Sequence, residues 1–241
     1  MARADNASLD ERLEQHLARW REGVQRPADV RANAVTISRA ERCQGEQIAA
    51  RVGELLDVPV YERDVVARIA ADPELQRILL ETLDAAGRAH LEAQLGVMLH
   101  EQNFDRSDSL RHVVRTMVAL WEHGPCVLVG FGCVHVIPRR HSLAVRLTAP
   151  EPARIQRLAA EEGLDVAAAR RAIYRADAER EAFHLRFFGV NVHEVVNYDL
   201  TLNTGELGPE VCAIITAEAF YRKLRGATRA RGRSRATSPR G

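Results

Sequence analysis

The sequence predicts an α/β fold in which a parallel sheet is flanked by helices. Short apolar segments alternate with longer segments whose apolar residues recur at helical spacing. The run from Cys126 to Val129 is apolar throughout, which is typical of a strand buried on both faces of a parallel sheet. A chain of 241 residues that is 46% hydrophobic can bury one such core and carry additional segments. We therefore expect a single domain over residues 33–224.

The first segment, residues 1–32, is predicted to be a helical appendage. Ser8 and Glu11 have the spacing of a capping box, and Pro27 is expected to end the helix. The apolar residues of this helix share one face: Leu9, Leu13, Leu17 and Trp20.

The first half of the domain has the spacing of a βαβ unit. A strand is predicted over 34–38, an amphipathic helix buries Ile48, Val52, Leu55 and Leu56, and a second strand covers 58–61. A helical insertion is predicted over 63–123, where Gly124-Pro125 ends the last helix.

The second half continues the alternation. The strand at 126–129 runs into Gly130-Phe131-Gly132, and a further strand is predicted over 143–149. Pro150 and Pro152 begin a helix, and a charged helix is predicted from Asp165 to about Phe187. The last strand and helix are predicted at 200–203 and 209–224. Residues 225–241 are rich in Arg, Gly, Ser and Thr and contain no acid, so we predict a disordered tail.

The composition restricts the class of partner and the compartment. A formal charge of +1 disfavours non-specific nucleic-acid binding by the body of the protein, and only the arginine-rich tail has the composition for it. The four cysteines form no C-x-x-C pair, which suits a reducing compartment. Neither a secretory signal nor an apolar span is recognised, so we expect a cytoplasmic protein without a membrane partner. The sequence leaves the oligomeric state open.

The first strand, loop and helix resemble a phosphate-binding loop that has lost parts. This arrangement directs backbone N–H groups and the positive end of the helix dipole at one point. The complete motif, G-x-x-x-x-G-K-[ST], supplies glycines, a lysine and a hydroxyl, but the only lysine of this chain is Lys223. The residues expected to hold a nucleotide are Ser38, Arg39, Arg42, Gln44, Gly45 and Glu46. The alternative is an ordinary tight connection between strand and helix.

Three further segments extend this resemblance to the cytidylate kinase-like family of P-loop nucleoside monophosphate kinases, over roughly 34–220. The family signature I-S-R-x-x-G-S-G-G-x-x-I-A is matched at Ile37, Ser38, Arg39, Gly45, Ile48 and Ala49. The segments P-x-Y-D-[KR]-E and G-P-C-V-x-V-G-R-G correspond to residues 59–64 and 124–132. The lid pattern R-x-x-x-[KR]-x-D-x-x-R corresponds to residues 171–180. Arg42, Cys43 and Gln44 replace the G-S-G of the signature, and Phe131 replaces an arginine that binds the acceptor phosphate.

The resemblance implies a three-layer P-loop NTPase-type parallel sheet flanked by helices, with a helical acceptor-binding insertion and a helical lid at 163–198. It implies catalytic roles on the lid for Arg171, Arg175, Asp177 and Arg180. We expect Asp177 to orient an arginine rather than to contact substrate. Arg154 and Arg157 extend the basic lining. Acceptor-binding positions are implied at Glu62, Asp64, Gly130, Phe131 and Gly132.

The function implied by the resemblance is phosphoryl transfer from ATP to a nucleoside monophosphate, CMP or a related compound, with Mg²⁺. The metal ligands are unknown, since Glu62, Asp64 and the phosphates themselves are all candidates. One alternative is a catalytically impaired nucleotide-binding or scaffold protein with a degenerate loop. Another is a kinase for a different small acceptor. For the lid arginines, the alternative is a solvated helix face balanced by nearby acids.

Overall fold

The computed structural model describes residues 2–22, 33–101 and 108–235. Its centre is one sheet of five parallel strands, in the order β2-β3-β1-β4-β5. The strands are β1 (Ala34–Arg39), β2 (Val60–Tyr61), β3 (Cys126–Val129), β4 (Ser142–Thr148) and β5 (Leu200–Asn203). This confirms the predicted parallel α/β sheet, although β2 is shorter than the predicted strand at 58–61.

Ten helices surround this sheet in the described residues. Those before β3 are α1 (Ala2–Glu22), α2 (Gly45–Leu56), α3 (Arg63–Ala71), α4 (Pro73–Glu81), α5 (Ala85–Glu101) and α6 (Asp108–His123). Those after β3 are α7 (Cys133–Val136), α8 (Glu151–Glu162), α9 (Val166–Phe188) and α10 (Thr204–Arg235). None of the described helices has the length and apolarity needed to cross a membrane.

Local sequence explains where several helices begin and end. The Asp72 carboxylate accepts hydrogen bonds from the backbone N–H groups of Glu74 and Leu75, and Pro73 occupies the first turn of α4. The Asp165 carboxylate accepts from the backbone N–H of Ala168 at the start of α9. That helix ends at Gly189, whose φ of 65° favours glycine.

The core has one part on each face of the sheet. On one face, α2 and α10 pack against the sheet through residues such as Ile48, Val52 and Cys212. On the other face, α3, α4, α5 and α6 form a larger cluster that includes Val65, Leu79 and Trp121. Of the four residues predicted to be buried in α2, Ile48 and Val52 are buried, whereas Leu55 and Leu56 are only partly buried.

The N-terminal helix α1 packs against this second cluster. Leu13 and Trp20 are buried, Leu9 and Leu17 pack beside them, and the Trp20 indole donates to the Tyr61 hydroxyl at 3.2 Å. The predicted apolar face is therefore confirmed. The prediction of a capping box at Ser8 is wrong, because α1 begins at Ala2 and Ser8 lies inside the helix. Pro27 lies outside the described residues.

The C-terminal helix is longer than predicted. It bends at Gly208 and continues through Arg235, so residues 225–235 are helical where the sequence predicted disorder. Alanine and arginine have high helix propensity, and the helix already formed before residue 225 needs no new nucleus. Residues 236–241 lie outside the described residues.

The sheet order places a crevice between β1 and β3. The chain leaves β1 toward β2 on one side and leaves β3 toward β4 on the other, although β1 and β3 are neighbours. In open α/β sheets, ligands bind where connections diverge in this way, at the carboxyl ends of the strands.

Candidate functional site

A cavity of about 240 Å³ opens at the carboxyl ends of β1 and β3. Its walls come from the end of β1, the start of α3, the turn after β3 and one face of α9. The lining includes three basic, two acidic and three aromatic side chains: Arg39, Arg63, Arg180, Glu41, Glu179, Phe131, Phe183 and His184. The cavity therefore combines positive charge with aromatic surface.

The loop between β1 and α2 has alternating backbone conformations. Arg42 and Gln44 have φ values of 56° and 60°, whereas Glu41, Cys43 and Gly45 have no positive φ. Successive residues of opposite backbone hand turn their N–H groups toward one concavity, which suits an anion. The two positive values fall at positions where the family signature has glycine. The loop thus has the expected backbone without the residues that adopt it most easily.

We expect Gln44→Gly to stabilise the protein. A left-handed conformation costs a non-glycine residue about 1–2 kcal/mol, which exceeds the cost of about 0.5–1 kcal/mol for the flexibility of glycine. Urea unfolding is predicted to show a gain of about 0.5–1 kcal/mol. The matched control is Gln47→Gly in α2, because both variants remove the same Gln44–Gln47 side-chain hydrogen bond. The control is predicted to lose stability, and an equal loss in both variants would contradict the prediction.

Ser38 and Arg39 lie where β1 meets the cavity. The Ser38 hydroxyl accepts from the buried guanidinium of Arg146 on β4 at 2.9 Å. Burial lowers the pKa of Arg146, and the nearby Arg180 lowers it further. The Arg39 guanidinium pairs with Glu46 at 2.8 Å. The stem of Arg39 lies over Gly45, where a Cβ would come within 2.5 Å of Arg39 Cδ, so a larger residue at position 45 would displace the Arg39 side chain.

Arg42 points away from the cavity toward α8. Its guanidinium pairs with Glu161 at 2.6 Å and with Glu162, while Arg157 donates to the Arg42 carbonyl. The loop backbone is therefore joined to α8. Neither the Arg42 nor the Gln44 side chain lines the cavity, so any contribution of these residues to a phosphate site comes from the backbone.

Asp177 on α9 organises two arginines. It accepts from Arg154 at 2.9 and 3.2 Å and from Arg180 at 2.7 Å. Burial of the Asp177 carboxyl raises its pKa, but the hydrogen bonds from Arg154 and Arg180 outweigh burial and hold the pKa below its ordinary value. Arg154 also reaches the Glu41 carbonyl at 3.5 Å. Asp177 is thus a positioning residue for the cavity-lining Arg180.

The other two lid arginines lie outside the cavity. Arg171 and Arg175 are exposed on α9, and neither forms an ion pair with the residues that the structure describes. Of the four predicted lid residues, the structure therefore brings Asp177 and Arg180 to the cavity and its network.

The turn after β3 has three consecutive positive φ values, 84° at Gly130, 49° at Phe131 and 69° at Gly132. A Cβ at position 132 would overlap the Phe188 ring, so close packing as well as φ requires glycine there. The turn directs Phe131 into the cavity wall, where the Arg63 guanidinium lies 5.0 Å from its ring centroid. Sequence reasoning did not single out Arg63, although it occupies the [KR] position of P-x-Y-D-[KR]-E.

Glu62 and Asp64 are bound by the N-terminal helix. Arg12 of α1 pairs with Glu62 at 3.2 Å and with Asp64. Burial raises the pKa of Glu62, and the charge of Glu46 raises it further, against the opposing effect of Arg12. Neither carboxylate lines the cavity.

The candidate magnesium ligands do not fit a protein-built metal site. Both carboxylates are engaged with Arg12, and β3 ends without an acid. In the ranges that the structure describes, no three His, Cys, Asp or Glu side chains cluster in a way that could hold a metal ion.

A histidine pair lies beneath the cavity. His135 Nε2 and His184 Nδ1 are 3.3 Å apart, and burial lowers the pKa of His184 to about 3 and of His135 to about 4. Both imidazoles are therefore neutral near pH 7. Burial raises the pKa of the neighbouring Cys133 thiol to about 12. These three side chains therefore carry no charge near pH 7.

Lys223 lies far from the loop. Its ammonium donates to the Ser142 carbonyl at 2.8 Å and to the Asp199 carboxylate at 2.6 Å, at the amino-terminal end of β4. The cavity is at the opposite end of the sheet, so Lys223 has a structural role and cannot replace the missing lysine of the loop.

The strand order, the strand–loop–helix backbone and the cavity define a P-loop kinase-like fold. The sequence model of the cytidylate kinase-like family matches residues 34–206, and the chain belongs to this family. No curated protein sequence matches the chain significantly.

Several solved structures are similar to this chain. An uncharacterized protein from Eubacterium ventriosum ATCC 27560 is 15% identical, with a TM-score of 0.62 over 78% of this chain and 97% of that chain. Shikimate kinase from Bacteroides thetaiotaomicron is 13% identical, with a TM-score of 0.41 over 80% and 98%. Dephospho-CoA kinase from Campylobacter jejuni is 10% identical, with a TM-score of 0.32 over 81% and 97%. The first likeness supports the fold alone, and the other two scores are too low to support an inference.

Proposed function

We propose that this protein transfers a phosphoryl group from ATP to a nucleoside monophosphate, CMP or a related compound. The observation that carries the proposal is the loop from Ser38 to Gly45, whose alternating backbone adjoins a cavity lined by Arg39, Arg63 and Arg180. A concave array of N–H groups suits the donor phosphates, and the cavity beside it suits the acceptor.

In the proposed reaction, the protein must position the two substrates and supply positive charge. Phosphoryl transfer spreads negative charge over the equatorial oxygens of the transferred group. An oxygen of the acceptor phosphate bonds to the γ-phosphorus while the bond to the leaving ADP breaks. Arg180, oriented by Asp177, stabilises the charge that develops. Mg²⁺ enters as part of the MgATP substrate.

The proposed reaction includes closure of the lid over bound nucleotide. Arg154 joins the Asp177 network to the Glu41 carbonyl of the loop, so loop and lid are already connected. Arg171 and Arg175 are exposed, and in this proposal they reach the phosphates when the segment 163–198 closes over bound nucleotide. The turn at 130–132 borders the acceptor side, whereas Glu62 and Asp64 pair with Arg12 and do not line the cavity. The same proposal includes a cytoplasmic location and the division of the chain into an appendage at 1–32 and one domain at 33–224.

The second candidate is a catalytically impaired nucleotide-binding or scaffold protein. It is favoured by the missing lysine and by the carboxylates that already neutralise Arg42, Arg154 and Arg180. Against it, a scaffold that binds no nucleotide has no physical need for an arginine held in a cavity by its own positioning residue.

Binding of MgATP separates the two candidates. A donor at a hundredfold its dissociation constant is predicted to raise the free energy of unfolding by about 2.7 kcal/mol. Calorimetric titration supplies the dissociation constant, and urea unfolding with and without MgATP supplies the stabilisation. Adenosine is the matched control, because it keeps the base and sugar but has no phosphates for the loop. Equal stabilisation by adenosine, or none by MgATP, would contradict donor binding at this loop.

A further inference from the structure

Arg63 stands apart from the other arginines near the cavity. Arg39 pairs with Glu46, Arg180 pairs with Asp177, and Arg12 pairs with Glu62 and Asp64. Arg63 lines the cavity, yet among the described residues it has no carboxylate partner and no hydrogen bond. A guanidinium held at a cavity wall without an anion is available to an anionic ligand.

Arg63 is exposed, and its side chain lies against the turn after β3. Its guanidinium lies 5.0 Å from the centroid of the Phe131 ring, a cation–π distance. Its stem runs beside Gly130, where a Cβ would lie 3.6–3.9 Å from the Arg63 side chain. Phe131 and Gly130 therefore form a platform for the arginine at the end of β3.

The acids next to Arg63 in the chain are paired elsewhere. Arg12 of α1 binds both Glu62 and Asp64, and the side chains of adjacent helical residues do not face each other. The carboxylates nearest to Arg63 in sequence therefore do not neutralise its guanidinium.

We propose that Arg63, supported by Phe131, binds the phosphate monoester of the acceptor; this assignment rests on the proposed function. The family arginine at position 131 is absent, and Arg63, at a position that is basic in the family pattern, places a guanidinium over the phenylalanine that replaces it. A guanidinium fork matches the oxygens of a phosphate, and an aromatic face orients the fork.

The test measures CMP binding and MgATP binding separately by calorimetry. Arg63→Gln is expected to weaken CMP binding by about tenfold to a hundredfold, as for loss of one hydrogen-bonded charge, and to leave the MgATP dissociation constant unchanged. Phe131→Leu is expected to weaken CMP binding to a smaller extent. The matched control is Arg68→Gln, also on α3, whose arginine pairs with Asp72 outside the cavity and should leave both affinities unchanged.

A rescue variant tests the charge itself. The double variant Arg63→Gln with Phe131→Arg returns a guanidinium to the same wall and is expected to recover CMP affinity over Arg63→Gln alone. If the wild type binds CMP and Arg63→Gln binds it equally well, the assignment of Arg63 is overturned and the proposed function stands. If the wild type binds neither MgATP nor CMP and shows no turnover, both are overturned.

Discussion

Arg180→Ala is expected to lower kcat by at least about a hundredfold, as does loss of one group that stabilises transition-state charge. Arg180 is the one predicted lid arginine that lines the cavity. Its removal leaves Asp177 paired with Arg154, so no buried charge is left alone. The free energy of unfolding should therefore fall by about 1 kcal/mol, as for loss of one hydrogen bond. Steady-state kinetics and urea unfolding on the same preparation measure both quantities.

The matched control for this variant is Arg170→Ala. Arg170 lies on the same helix, is exposed, and does not line the cavity. Its substitution should leave kcat unchanged. Turnover of Arg180→Ala equal to that of the control would show that Arg180 does not act on the transferring group.

Asp177→Ala is expected to cost about 2 kcal/mol of stability at pH 7, because it leaves two partly buried arginines without their shared carboxylate. The side chains of Arg154 and Arg180 are only 10% and 17% exposed, so water screens them weakly. The control is Glu181→Ala, an acid of the same helix whose ion pair with His193 is about half exposed. The control should change stability by less than about 1 kcal/mol.

The stability lost in Asp177→Ala should depend on pH. Because the folded protein holds the pKa of Asp177 below its ordinary value, the stabilising contribution is complete above about pH 4, the unfolded pKa. It is lost as the pH falls further, through the folded pKa. The difference between wild type and variant should therefore be constant from pH 7 to pH 5 and shrink at pH 3. A difference that persists unchanged at pH 3 would contradict the role of the charged carboxylate.

The sequence predicted the sheet well because strand signals in this chain are local. The apolar run at 126–129 became β3 with the predicted bounds, and the strand–loop–helix at 34–49 became β1 and α2. The capping box at Ser8 was wrong because a good helical sequence continues toward the N-terminus beyond it. Spacing shows that a helix is favoured, but it places helix ends less accurately.

The candidate site was less predictable, because its contacts join distant parts of the chain. Arg12 meets Glu62 and Asp64 about fifty residues away, and nothing local in α1 indicates that pairing. The role proposed for Arg63 depends on the turn that brings Phe131 beneath it. The alternating backbone of the loop was also hidden, because Arg42 and Gln44 rarely adopt a positive φ. The sequence lacks two of the loop glycines, yet Arg42 and Gln44 at those positions keep the positive φ values that glycine adopts easily.

A coupled phosphoryl-transfer assay with MgATP and a panel of ribo- and deoxyribonucleoside monophosphates tests the proposed kinase function directly. We expect turnover with CMP or a related monophosphate, and a loss of about a hundredfold or more in Arg180→Ala, which excludes a contaminating kinase. Absence of turnover with every monophosphate, in folded protein, would contradict the kinase function and favour the impaired nucleotide-binding or scaffold protein.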